Sequence, residues 1–329
     1  MLKYIIKRVL WSLVVLFGVT IITYFALRLM PADFIDNKYA AQLANGSMSI
    51  ADINRIKEMF GLADSSFAGI LGGYFKWAGR AIVGNLGTSL QFGLPVAEVI
   101  SDKMWVSFWI AIIAFILQIL IAIPLGITSA THQYGKRDYV ITVVTIILIS
   151  LPSFFIAALL VKFFAIDLGW LPISGMVTPG SIGFGEFLSK LEHMILPILV
   201  ITFISIGGMM RMTRTNTLEV LGADYIRTAR AKGLSESTTI YKHAFRNTLI
   251  PLVTTTLAGL LPLLFGGMII TEQVFAFQGL GYASLTAMRN GDVPFAMGYI
   301  LFLSILTVIG IFLADVMYAV VDPRVKLIK

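Results

Sequence analysis

Long uninterrupted apolar runs constrain the fold of this chain more than any other feature of its sequence. Six runs carry few or no ionisable side chains, and they cover residues 9–27, 105–130, 139–161, 194–210, 248–271 and 293–314. A helix needs about 20 apolar residues to cross the hydrocarbon core of a bilayer. Irregular backbone is excluded there, because no water bonds its polar groups. The runs therefore predict an all-α, polytopic membrane protein with six transmembrane helices.

The composition supports the same class. The chain is 57% hydrophobic and 13% charged, with a mean hydropathy of +0.87, whereas a soluble domain carries about 25% charged residues. Cysteine is absent, and His132, His193 and His243 lie far apart in the sequence, so a disulfide framework or a metal cluster is not expected. We expect the net charge of +7 to orient the chain in the membrane, not to bind nucleic acid.

The distribution of charge predicts which side of the membrane each loop faces. With six spans both termini lie on one side, and 15 of the 25 Lys and Arg residues fall on that side together with 6 acidic residues. Because basic residues concentrate in cytoplasmic loops, we expect both termini in the cytoplasm. The stretch FALRLMPADF after the first run shows no small-x-small cleavage site, so that run is read as a retained span.

The predicted organisation has four parts. Residues 1–30 supply a cytoplasmic start and the first span, and residues 31–104 form an extracytoplasmic loop with short helices. Residues 105–321 hold the other five spans and a basic cytoplasmic segment, and residues 322–329 form a cytoplasmic tail.

The outer loop contains its own helix signal. Ser49 and Asp52 have the spacing of a capping box, and apolar residues follow at helical spacing, at Ile50, Ile53, Ile56 and Phe60. The loop is expected either to pack as a cap over the outer helix ends or to dock an external partner.

Motifs of catalytic or nucleotide-binding sites are missing from the sequence. It holds no GxxxxGK[ST], HExxH or GxSxG pattern, and no GxGxxG after a strand. The spans carry few ionisable groups, and Lys162 and Asp315 fall at span ends, where snorkelling explains them. An intramembrane enzyme and a proton- or sodium-coupled carrier are therefore disfavoured, and a self-sufficient secondary carrier stays the alternative class.

The most particular stretch of the chain is the basic segment 222–247 between the fourth and fifth spans. Gly222 and Gly233 bracket ADYIRTARAK, which is dominated by good helix formers, and Ser235 is placed to cap a second helix. We expect two short helices joined at a glycine elbow. The order of small and basic residues favours close approach by another protein, and the alternative is a loop resting on anionic lipid.

Several passages carry a family resemblance. YIRTARAKGL followed by HAFRNTLIPLV closely resembles the cytoplasmic loop of binding-protein-dependent ABC transporter permeases of the dipeptide/oligopeptide/nickel group. The passages GNLGTSL, LPSFFIAALL, TEQVFAFQGLGY and DVMYAVVDPRV resemble the same group, as does a first span followed by a long outer loop, the subunit type of the oligopeptide permease. The chain departs from the pattern where Arg227-Thr228-Ala229 replaces Glu-Ala-Ala and Gln278-Gly279 replaces Pro-Gly.

The resemblance implies a fold, a function and a set of partners. The fold would be that of a type I ABC importer permease, and the chain would form half of the pore of an ATP-driven importer in a prokaryotic inner membrane. Its cargo would be di- or oligopeptides, with oligosaccharides or nickel chelates as alternatives. Its partners would be a second homologous permease, two ATP-binding subunits, an extracytoplasmic substrate-binding protein and membrane lipid. ATP and magnesium would bind the ATPases, so this chain would be no enzyme and hold no cofactor.

The resemblance also implies which residues couple the chain to its ATPase. The segment around residues 223–233 would be a coupling helix that sits in a groove of the ATPase and transmits its closure to the spans. The expected contact residues are Ala223, Tyr225, Arg227, Ala229, Arg230, Lys232 and Gly233. No catalytic residue is expected, and the substrate-binding residues stay unassigned.

Overall fold

The structure of the chain is a computed structural model that describes residues 2–28, 39–40, 42–59, 64 and 66–321. Over these ranges the chain is helical, and the single β-type pairing among them is an isolated bridge between Thr88 and Pro95. Part of the predicted outer loop, Phe60 and the predicted tail 322–329 lie outside the described residues. The predicted all-α class is confirmed.

The described residues form α-helices and two π-helices. In chain order they are α1 (Leu2–Arg28), α2 (Ile50–Met59), α3 (Phe67–Ile82), α4 (Val96–Thr131), α5 (Lys136–Ser150), α6 (Ser153–Leu160), π1 (Val161–Asp167), α7 (Phe184–Leu221), α8 (Asp224–Ala231), α9 (Glu236–Thr238), π2 (Thr239–Ala244), α10 (Phe245–Phe265), α11 (Ile269–Val274), α12 (Leu280–Arg289) and α13 (Val293–Val321). Five stretches are long and apolar enough to cross a membrane: α1, α4, α7, α13 and the run from α9 to α11.

The third predicted span is broken near its middle. Helix α5 and the run from α6 through π1 meet at an angle of 103°. Leu151 and Pro152 between them both have extended backbone, as expected for a proline and the residue before it. A proline inside a span is expected to kink its helix, whereas this proline separates two helices. Counted as one crossing, the bent pair brings the described spans to the predicted six.

One compact unit of the chain comprises Met1–Trp105 and Tyr282–Val308. Within it α1 packs against α3 around Tyr24, Ile70 and Tyr74. Asp292 is completely buried, and its Oδ2 accepts hydrogen bonds from Ser89 Oγ at 2.5 Å and from the Gln91 N–H at 2.9 Å. These bonds tie the GNLGTSL passage to the residue that precedes α13.

The capping box predicted in the outer loop is present at the start of α2. Ser49 donates its N–H and Oγ to Asp52 Oδ2 at 3.0 and 2.6 Å, and the Asp52 N–H donates to Ser49 Oγ at 3.2 Å. The hydroxyl and N–H of Ser49 hold the pKa of Asp52 below its ordinary value.

The other compact unit comprises Val106–Gly281 and Ile309–Lys329, and α7 is its central helix. Helices α5, α6, α10 and α11 and π2 all pack against α7. Its apolar window is 56% buried, against 33% or less for the other four unbroken candidate spans. Two glycines permit close approach: a Cβ on Gly126 would lie 2.6 Å from Thr213 Cβ, and one on Gly207 would lie 2.4 Å from the Ile149 side chain. Small residues at such crossings are typical of helix packing in membranes.

Candidate functional site

The segment between α7 and α10 forms the predicted elbow at Gly233, but the helix after the elbow is not short, because α9 and π2 continue directly into α10. Helix α8 ends at Ala231, and Gly233 adopts a φ of +77°, in the left-handed region that favours glycine. Ser235 caps α9 by accepting a hydrogen bond from the Thr238 N–H. The glycine stop and the serine cap therefore turn the chain back immediately after α8.

The seven predicted coupling residues differ in exposure. Tyr225, Arg227, Arg230, Lys232 and Gly233 are exposed, Ala223 is half-buried, and Ala229 is buried.

The buried side of α8 explains the position of Ala229. Ile226, one helical turn earlier, is completely buried, and residues three apart share a helix face. The helix thus turns its apolar face to its own chain and its basic face outward. Ala229 holds α8 in place, whereas the exposed residues of the predicted set are accessible to another molecule.

Helix α8 is connected to two spans through π2. It packs against π2, which packs in turn against α7 and continues directly into α10. Thr239 and Ala244 of π2 are completely buried, and the hydroxyls of Thr239 and of Thr217 in α7 are buried without a hydrogen-bond partner. Single turns of π-helix often occur at functional sites.

The exposed face of α8 carries two ion pairs that are easily exchanged. Arg230 donates Nε and Nη2 to the two carboxylate oxygens of Glu236 at 2.9 and 3.3 Å, across the turn at Gly233. Arg227 lies 3.8 Å from Asp224, and Lys232 forms no ion pair with any other described residue. Exposed pairs contribute about 0–1 kcal/mol, so these cations can exchange their partners for carboxylates of another protein at little cost.

An ion pair with a buried carboxylate lies at the ends of the neighbouring spans. Asp138, in the first turn of α5, accepts hydrogen bonds from Arg214 Nε and Nη2 of α7, each at 2.9 Å. Ser129 Oγ and the Tyr134 N–H also donate to this carboxylate. Tyr134, with a φ of +61°, lies in the α4–α5 turn that closes around it. The pair therefore joins α4, α5 and α7, and sequence reasoning did not find it.

Another buried carboxylate belongs to Glu272 of α11. It accepts hydrogen bonds from Ser107 Oγ at 2.7 Å and from the Met268 N–H at 3.0 Å, and Ser107 Oγ accepts from the Leu280 N–H at 2.9 Å. A Cβ on Gly279 would lie 2.5 Å from Glu272 Oε2, so the backbone approaches this cluster closely. The TEQVFAFQGLGY passage thus contains both the buried carboxylate of Glu272 and Gly279, whose lack of a side chain leaves space for that carboxylate.

The fold and these sites define a class of protein: a multi-spanning, all-helical membrane protein with an exposed basic elbow. Among the described residues no group of His, Cys, Asp or Glu is placed to hold a metal ion. The chain belongs to the family of binding-protein-dependent transport system inner membrane components, whose sequence profile matches residues 122–327. It is a multi-pass protein of the inner membrane and a component of an ABC transporter.

Relatives along the whole chain support this assignment. The chain is 35% identical over 330 residues to the oligopeptide transport system permease protein AppB of Bacillus subtilis, covering 99% of this chain and 100% of that protein. It is 33% identical over 343 residues to the dipeptide transport system permease protein DppB of Alkalihalophilus pseudofirmus, with 99% and 100% coverage.

A solved structure shares the fold. The MetNI methionine ABC transporter, in inward-facing conformations, matches with a TM-score of 0.51 and 18% identity, over 69% of this chain and 97% of the other. The type I ABC importer permease fold is therefore confirmed, whereas the cytoplasmic location of the termini stays a prediction.

Proposed function

We propose that this chain is one of two permease subunits of an ATP-driven importer of di- or oligopeptides and forms half of the translocation pore. The observation that carries the proposal is the exposed basic face of α8, on an elbow that leads from α7 to α10. The sequence contains no P-loop, so in an ATP-driven importer the ATP-binding sites would lie on other chains. The names of AppB and DppB support peptides as the substrate.

The proposed mechanism begins at α8. Its face with Tyr225, Arg227, Arg230 and Lys232 sits in a groove of an ATPase subunit, and two such subunits bind ATP and Mg²⁺. Their closure displaces α8, and the displacement reaches α7 and α10 through π2. The two permease subunits then alternate between inward- and outward-open states, while an extracytoplasmic binding protein delivers the substrate. This chain itself holds no cofactor.

A self-sufficient secondary carrier is the competing class. Such a carrier needs carboxylates in the membrane that gain and lose a proton or a cation. Asp138 is held by Arg214, and Glu272 accepts hydrogen bonds from Ser107 and a backbone N–H. Fixed donors of this kind support a structural role for both carboxylates, which favours the importer.

Reconstitution in liposomes tests the proposed function. The complete set comprises this chain, its partner permease, the ATPases and the binding protein, and uptake of a labelled peptide is expected to need ATP and every subunit. Unlabelled peptide is expected to compete, and an oligosaccharide or a nickel chelate is not. Uptake of the same peptide by this chain without any ATPase would establish the secondary carrier instead.

Cross-linking tests the role of α8, because the chain has no cysteine of its own. Cysteine at exposed Tyr225 or Lys232 is expected to cross-link to an ATPase subunit. Cysteine at buried Ala229 is the matched control and is expected to react poorly. Exclusive labelling of phospholipid from the two exposed positions would rule out the coupling role.

A further inference from the structure

A cleft opens along one face of α7. It has a volume of about 740 Å³ and is lined by Gln118 of α4, Ile149 of α5 and a stripe of α7 between Ile204 and Asn216. Sites for small ligands commonly measure roughly 300–1,000 Å³. The cleft is therefore large enough to hold a short peptide segment.

Two adjacent glycines lie on different faces of α7, one packed against a neighbouring helix and the other open to the cleft. Gly207 faces α5, where an added Cβ would lie 2.4 Å from the Ile149 side chain and 3.0 Å from the Thr145 carbonyl oxygen. Gly208 lines the cleft, and a Cβ added there would meet no atom within 4 Å. Successive residues of a helix are rotated by about 100°. Gly207 therefore allows close packing of α7 against α5, whereas Gly208 leaves space in the cleft.

The polar groups of the cleft suit an anion. Arg211 lines it, and the Arg211 guanidinium has no ion pair or hydrogen bond to any other described residue. Asn216 Nδ2 is buried and lacks a hydrogen-bond partner. None of the described residues that line the cleft is acidic. A guanidinium without a partner is a group that binds a carboxylate or phosphate oxygen.

Arg214 of the same helix provides an internal comparison. One turn beyond Arg211, it is neutralised by the buried carboxylate of Asp138. The two arginines therefore differ in role: Arg214 joins α7 to α5, whereas Arg211 presents its charge to the cleft.

We propose that this cleft binds the terminal carboxylate of a peptide in transit, with Arg211 as the charged donor. The inference rests on the proposed function and adds where this subunit holds its cargo. Met209 and Met212 also line the cleft, and flexible methionines adapt to apolar side chains of different shapes. A site that binds the terminal carboxylate, which all peptides share, and contacts the variable side chains through flexible methionines accepts peptides of many sequences.

Uptake of a peptide and of its C-terminal amide by the reconstituted transporter tests this site. The binding protein contributes the same preference in every variant, so the change in the acid-to-amide ratio of initial rates isolates the permease. Arg211→Gln is expected to lower that ratio about tenfold, as for the loss of one charge-assisted hydrogen bond. Arg211→Lys is expected to retain most of it, and Lys190→Gln, a charge loss on α7 outside the cleft, to leave it unchanged.

Each other outcome decides against the site. If Arg211→Gln slows acid and amide equally, the carboxylate is not bound there and the inference is overturned. An equal loss that varies with the phosphatidylglycerol content of the liposomes would assign Arg211 to a lipid phosphate instead. If the unmodified transporter takes up peptide but Arg211→Gln leaves the acid-to-amide ratio unaltered, this inference alone is overturned. If the unmodified transporter takes up no peptide at all, the proposed function and this site are both overturned.

Discussion

Arg214 grips Asp138 through two parallel hydrogen bonds, with Nε and Nη2 each 2.9 Å from a different carboxylate oxygen. The two residues lie 76 positions apart and join α7 to the first turn of α5. The Asp138 side chain is 7% exposed, whereas that of Arg214 is 26% exposed. Because the carboxylate has less access to solvent than the guanidinium, losing either partner should have unequal effects.

Arg214→Gln is therefore expected to destabilise the protein more than Asp138→Asn. The first leaves a buried carboxylate without its cation, at a cost of up to roughly 3–5 kcal/mol, and the second leaves a guanidinium that can turn to solvent. The midpoint of thermal unfolding in detergent measures both, with Lys190→Gln as the exposed control. A larger loss in Asp138→Asn would contradict the assignment.

Substitution of alanine for each of the two adjacent glycines of α7 is expected to affect the free energy of unfolding differently. Gly207→Ala forces its Cβ into Ile149 and the Thr145 carbonyl, and overpacking of this kind costs roughly 1–3 kcal/mol. Gly208→Ala meets open space, so the better helix propensity of alanine leaves stability equal or slightly higher. Thermal unfolding of the two variants decides the point, and similar losses in both would show that α7 is rotated from the described position.

Ser107→Ala is expected to disturb the cluster around Glu272. The change removes a donor to the carboxylate and the acceptor for the Leu280 N–H, and unsatisfied buried groups cost roughly 1–3 kcal/mol. Ser150→Ala is the matched control, because that exposed hydroxyl bonds only the Ile146 carbonyl of its own helix. Equal unfolding midpoints for the two variants would count against the cluster.

A charge exchange separates two roles of Arg230. Arg230→Glu is expected to lower ATP-driven uptake, and the double variant with Glu236→Arg restores the pair within the chain without restoring uptake, because the carboxylate on the ATPase is unchanged. Stability should change by less than about 1 kcal/mol in either variant, since the pair is exposed. Full recovery of uptake in the double variant would show that Arg230 acts only through its ion pair with Glu236 and not through the ATPase.

Asparagine and aspartate at Gly233 isolate the effect of charge at the elbow. A side chain there meets no atom within 4 Å, and both residues tolerate a φ of +77° better than most. Gly233→Asn is expected to retain most uptake, whereas Gly233→Asp places a negative charge beside the basic face of α8 and uncouples ATP hydrolysis from uptake. Measuring both rates in the same liposomes checks this, and equal behaviour of the variants would remove charge as the cause.

Features determined by neighbouring residues were predictable from the sequence. The apolar runs indicated the spans, because membrane insertion depends on local hydropathy. The stop at Gly233 and the cap at Ser235 likewise depend on residues within one turn of each. The burial of Ala229 could also have been found, since Ile226 precedes it by one turn in an otherwise polar helix.

Contacts between distant residues were not predictable in this way. Ser107 and Glu272 are 165 positions apart, and hydropathy does not reveal which faces of two spans meet. The break at Pro152 is larger than the kink that a proline causes within a continuous helix, because the residue before it is also extended. The coupling role of the α8 residues and the division of the chain into functional parts stay predictions.

The broken crossing gives neighbouring spans unequal stiffness. Helix α7 continues over 38 residues, about 57 Å, to within three residues of α8. Helices α5 and α6, which both pack against it, are separated by the joint at Leu151 and Pro152. Under the proposed coupling, a displacement that enters at the elbow moves α7 as one continuous helix, while the broken crossing beside it bends at Leu151 and Pro152. The chain thus places the unbroken helix α7 beside a crossing that is divided into two helices.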